Sequence, residues 1–115
     1  MTVQECYEQA GADYRDAMER LGSEALIGRF ALKFLQDKSY AQLQEGMEQK
    51  DAEKAFRAAH TLKGVCLNLG FDNLYPSSKD LTELLRAGSM DGYEDLFVEV
   101  EKEYNRTCEA LRKVA

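Results

Sequence analysis

The chain has 115 residues, 44% hydrophobic and 31% charged, with a net charge of −6. That is the size and palette of one globular domain, here taken as residues 1–115, able to close a single core without staples. The acidic surface disfavours nucleic acid and anionic membranes, whose partners must neutralise phosphate, and no stretch approaches the apolar run of a spanning helix.

Alanine (13), leucine (14) and glutamate (13) dominate, while valine, isoleucine and threonine together number 10. This composition favours helix and starves strands. Met1–Glu5 has neither the basic start nor the apolar run of a secretory leader. In chain order, a first helix is expected over Val3–Ala10, ended by Gly11. A second runs from Asp13 to Leu21, stopped by Gly22. Ser23 caps a third, whose Leu26, Ile27, Phe30, Leu32, Phe34 and Leu35 recur at spacings of three and four. It kinks near Asp37-Lys38-Ser39 and continues through Tyr40, Leu43 and Met47. Asp51 caps the next, with Ala52, Ala55, Ala59, Leu62, Cys66 and Leu69 on its core stripe. Gly70, between Asn68 and Asp72, ends it. A helix holding Leu74, Leu81, Leu84 and Leu85 follows, with Pro76 in its first turn, and stops at Ala87-Gly88. The last begins near Asp91 and carries Tyr93, Leu96, Phe97, Val100, Tyr104, Cys108 and Leu111. Its run Glu99, Glu101, Glu103 reads as a solvated face. The expected architecture is all-α, an antiparallel four-helix bundle with short extra N-terminal helices.

Cys6, Cys66 and Cys108 are odd in number and widely spaced. They read as reduced residues in or near the core of a cytoplasmic protein rather than as a disulfide or zinc scaffold. Chemistry centres on the single histidine. On a helical wheel His60 lies roughly 130° from the centre of the core stripe and faces solvent. Phe56 and Gly64 stand four residues away, Arg57 and Lys63 three, Leu67 seven. A mid-helix glycine costs about 1 kcal/mol against alanine, so Gly64 has little structural reason to be there. Two apolar groups and two cations crowd one spot of an acidic protein.

Ala59-His60-Thr61-Leu62-Lys63-Gly64, with Gly70 ten and Leu74 fourteen residues after the histidine, resembles the signature of the histidine phosphotransfer (HPt) domain. The stretch Asp16–Gly22 with Phe30, Phe34 and Leu35 is similar to the first part of that family. The chain departs from the pattern at Val65-Cys66-Leu67, Leu81-Thr82 and Pro76. The resemblance implies a phosphocarrier without kinase activity: His60 accepts a phosphoryl group, Lys63 orients it, and Gly64 keeps access open. Phe56, Arg57 and Leu67 would meet the partner. Implied partners are response-regulator receiver domains or a hybrid sensor kinase. No cofactor is expected in this chain, because Mg²⁺ would come with the receiver.

Two other classes of function compete. A helical adaptor could bind a partner through the His60 face without chemistry; phosphate on His60 separates the two. A general-base enzyme is disfavoured, since no paired acid or Asp–His arrangement is readable. An autonomous kinase lacks its Gly-rich loop and downstream Lys and Asp set. The expected state is a monomer, and Met1 with a bundle that looks whole weighs toward a free-standing carrier.

Overall fold

The computed structural model describes residues 1–114, and every regular element among them is helical. The elements are α1 (Val3–Ala10), α2 (Tyr14–Leu21), α3 (Glu24–Lys33), a 3₁₀ turn (Phe34–Gln36), α4 (Ser39–Glu48), α5 (Ala52–Leu69), α6 (Tyr75–Arg86) and α7 (Glu94–Leu111). Sequence-local chemistry sets most starts. Thr2 and Glu5 form a reciprocal capping box on α1, at 3.1 and 3.0 Å. Asp13, Ser23 and Asp51 each accept the backbone N–H three residues on, capping α2, α3 and α5. Each such side chain satisfies one of the four N–H groups a helix start leaves unpaired. Gly11, Gly22 and Gly70 close α1, α2 and α5 in the left-handed conformation.

Two boundaries differ from expectation. The predicted kink is a full break: the 3₁₀ turn ends at Asp37, whose carboxylate accepts the Ser39 N–H at 2.8 Å and restarts the chain as α4. The last helix starts at Glu94 rather than near Asp91, because Gly92 at φ 79° puts a turn ahead of it.

Helix α5 is the centre of the packing, with α4 on one side, α6 on another and α2 crossing its C-terminal part, while α6 and α1 pack on α7. The α4–α5 approach is close because both surfaces are small. A Cβ on Gly46 would come within 2.8 Å of the Ala55 backbone nitrogen. Ala55, Ala59, Leu62, Cys66 and Leu69 of the expected stripe are buried, Ala58 joins them, and Ala52 at the first turn is only half-buried. Leu62, Leu74, Leu81 and Leu85 are fully or almost fully buried, each contributing about 1.5–3 kcal/mol by removal from water.

A continuous aromatic chain runs through the other half of the core: Tyr14, Tyr7, Phe71, Phe34, Tyr104, Tyr40 and Phe97 touch in sequence, with centroids 4.0–6.2 Å apart. It joins α1 and α2 to α7. Tyr7 donates to the Leu69 carbonyl at 2.7 Å and the Asp13 N–H donates to the Gly70 carbonyl at 2.7 Å. The N-terminal pair is thereby pinned to the C-terminal end of α5.

All three cysteines are buried. Pro76 lies in the first turn of α6, as expected. Thr82, a departure from the family pattern, is fully buried and donates to the Ser78 carbonyl at 2.7 Å, which satisfies its hydroxyl within the helix. The acidic run on α7 needs one correction. Glu99 and Glu101 are exposed, but Glu103 is buried. It accepts from the Asn73 amide at 3.1 Å and pairs with Arg106 at 3.5 Å, the partnering a buried carboxylate requires.

Candidate functional site

His60 is the ninth of the eighteen residues of α5 and is exposed. Alanines 55, 58 and 59 and Leu62 turn the opposite side of the helix to the core, so the histidine's position follows from the 3.6-residue period. Neither imidazole nitrogen has a hydrogen-bond partner among the described residues.

Gly64 lies one turn further, about 6 Å along the axis. A Cβ built there meets nothing within 4 Å. No neighbouring atom therefore demands glycine at this position. Side chains on a helix lean toward its N-terminus, so any group at 64 would lie over the His60 ring.

The other flank is furnished. The Phe56 ring stacks on His60, centroids 5.9 Å apart and planes 11° from parallel. The Arg86 guanidinium, from α6, sits 5.1 Å from the Phe56 centroid. Glu83 holds that guanidinium at 3.1 and 3.3 Å. The Arg86 hydrogen bond pulls the Glu83 carboxyl below its ordinary value, and Lys63 and Lys79 add smaller Coulombic contributions. Lys63 is half-buried and makes no ion pair among the described residues.

The remaining predicted residues fall nearby on the helix surface. Arg57 is exposed and paired with Glu53 one turn back. Leu67 is 40% exposed, among the larger apolar groups open to solvent. Sequence reasoning missed a groove of about 540 Å³ between the end of α2, α3, the 3₁₀ turn and the last turns of α5. Leu21, Phe30, Phe34, Val65 and Leu69 supply its apolar lining, with Arg20, Lys33, Asp37 and Asn68 as its polar groups. Val65 is five residues from His60, about 140° round the helix, so the groove lies toward the C-terminal end of α5 and round its side from the imidazole. Nothing in the sequence signalled it: Phe30, read there as part of the apolar stripe of the third helix, is 39% exposed.

Among the described residues no group of three or more His, Cys, Asp or Glu side chains stands close enough to hold a metal ion, and no helix is long and apolar enough to cross a membrane.

The site is thus one exposed histidine at mid-helix in an all-helical chain, with a half-buried lysine three residues on and an unobstructed glycine four residues on. The Hpt domain family model matches residues 32–112, and the chain belongs to that family. No curated protein and no solved structure matches it. Hpt domains are phosphocarrier modules of two-component signalling, not kinases, and work against receiver and kinase domains.

Proposed function

We propose that this protein relays a phosphoryl group through His60 between aspartates of receiver domains, within a phosphorelay fed by a hybrid sensor kinase. The observation that carries the reading is the open imidazole itself: exposed at mid-helix, with nothing over it at Gly64. In the forward step the Nε2–P bond forms as the bond from phosphorus to the donor aspartate breaks. The electron pair leaves with the carboxylate, and Nδ1 keeps its proton. The reverse step delivers the group to a second aspartate. In-line approach of donor and acceptor supplies most of the rate, and the protein's task is positioning. Lys63 meets the phosphoryl oxygens as a point charge. Mg²⁺ arrives with the receiver.

Arg57, Leu67 and the half-buried Phe56 border the docking face, and the groove lined by Phe30 and Val65 extends it. In our reading residues 1–115 act as one unit, a monomer in the cytoplasm whose four longer helices run antiparallel. The test is incubation with a labelled, phosphorylated receiver. Wild type should take up acid-labile, base-stable label. His60→Gln should take up none while keeping its helicity and melting temperature, because His60 is the only histidine and its side chain is outside the core. Label on a folded His60→Gln protein would refute the assignment.

A further inference from the structure

A functional imidazole is normally oriented by a hydrogen bond to its second nitrogen, from a carboxylate or a backbone carbonyl. His60 has no such bond among the described residues, yet productive transfer requires one ring nitrogen to meet phosphorus in line. The contact the ring does have is with Phe56, nearly parallel at 5.9 Å, within the range of offset aromatic stacking. Phe56 is itself held. Arg86 lies over its ring at 5.1 Å, and Glu83 fixes Arg86 through two hydrogen bonds. Such a guanidinium within about 6 Å of a ring centroid is attracted to its π face. The contacts form a continuous series from α6 to α5: Glu83, Arg86, Phe56, His60.

We infer that Phe56 is a positioning residue for the phosphoryl-accepting imidazole, with Arg86 as its clamp. The inference rests on the carrier function proposed above. A helical histidine has two common χ1 wells and roughly two ring orientations about χ2. Free sampling would leave about one in four orientations productive, so the stack accounts for up to roughly a fourfold gain in acceptance rate. It also explains the asymmetry of the site. Phe56 and Arg86 wall one side of His60, so a partner must enter from the Gly64 side.

The test uses Phe56→Leu, which keeps apolar bulk without a ring, Phe56→Tyr, which keeps the ring, and Arg86→Gln. Because His60 is the only histidine, its ring protons give a single unambiguous set of NMR signals. In wild type they should be displaced upfield by the Phe56 ring current. Phe56→Leu should abolish that displacement, Phe56→Tyr should keep it, and Arg86→Gln should reduce it. The chemical arm measures phosphorylation by phosphoramidate, a small donor that needs no docking. Phe56→Leu should be slowed up to roughly fourfold and Phe56→Tyr should be restored. Unshifted His60 signals in wild type, or a folded Phe56→Leu protein phosphorylated at the wild-type rate, would overturn the inference. If wild type takes no phosphate from either phosphoramidate or a receiver, the carrier function fails, and the ring-current displacement still decides whether the stack orients the imidazole.

Discussion

Gly64→Gln separates an access device from an incidental helix glycine. Gly64 has ordinary helical backbone, and a Cβ there has open space around it. Substitution therefore relieves the glycine penalty, about 0.5–1 kcal/mol in a helix interior, without any clash to offset it. With an unfolding entropy of about 2.1 cal/mol/K per residue, the chain's total is roughly 240 cal/mol/K, so 1 kcal/mol corresponds to about 4 °C in Tm. Both Gly64→Ala and Gly64→Gln should melt about 2–4 °C higher than wild type. Their function should diverge. A methyl reaches over the ring least, so Gly64→Ala should slow transfer only about twofold to threefold. A glutamine leans back over His60, and a displacement of about 1 Å in donor approach is enough to cost about a hundredfold. We expect Gly64→Gln to slow transfer from a phosphorylated receiver by roughly tenfold to a hundredfold. Phosphoramidate, being small, should be affected much less. The paired assay is a thermal melt beside a transfer time course with each donor. Gly46→Ala is the internal control, since its Cβ would press on the Ala55 backbone and its Tm should fall. Wild-type receiver transfer in a stabilised Gly64→Gln protein would refute the access argument.

Lys63→Ala should slow receiver transfer about fivefold to tenfold without abolishing it, the loss of about 1–1.4 kcal/mol expected of one partly solvated charge-assisted contact; an inactive but folded variant would mean that Lys63 does more than orient. Gly70→Ala should cost at least about 2 kcal/mol, because a Cβ there meets the Asp13 carbonyl oxygen at 2.5 Å and the residue sits at φ +69°; an unchanged Tm would show that the α2–α5 clamp yields freely. Stability should fall in alkali. Burial raises the Cys66 thiol above 9.0, the Tyr7 hydroxyl above 10.0 and Tyr40 to about 12. These groups hold their protons in the folded chain at pH values where the unfolded chain has lost them, so stability is complete below pH 9.0 and declines as pH rises toward 12; a Tm constant across that window would contradict the buried placement.

The site was legible to the extent that one helix carries it. His60, Lys63, Gly64 and Leu67 lie on α5, whose apolar residues repeat at 3.6 and fix which side is wet. What escaped came from residues far apart in the chain. Arg86 reaches Phe56 from α6, and a pair at i and i+4 shows that Phe56 and His60 are neighbours but not that their rings are parallel. The groove takes residues from α2, α3, the 3₁₀ turn and α5, and no periodicity within one helix reports such a meeting. Glu103 read as solvated because its partner Asn73 lies 30 residues away.

The glycines show most directly why a sequence alone underdetermines such a surface. Gly46, Gly64 and Gly70 are the same letter, and two of them sit inside helices. Gly46 is small because Ala55 stands against it. Gly70 adopts a left-handed φ and passes beneath the Asp13 carbonyl. Gly64 has neither excuse. A glycine that neither neighbour nor backbone requires, placed where any side chain would cover an exposed imidazole, lowers helix stability by about 1 kcal/mol and gains nothing in packing. On the relay function proposed above, its compensation lies outside the folded chain, in what approaches His60. The missing side chain and the Phe56–Arg86 wall then describe one geometry: a ring held from one side and left bare on the other, as an in-line exchange with a macromolecular donor requires.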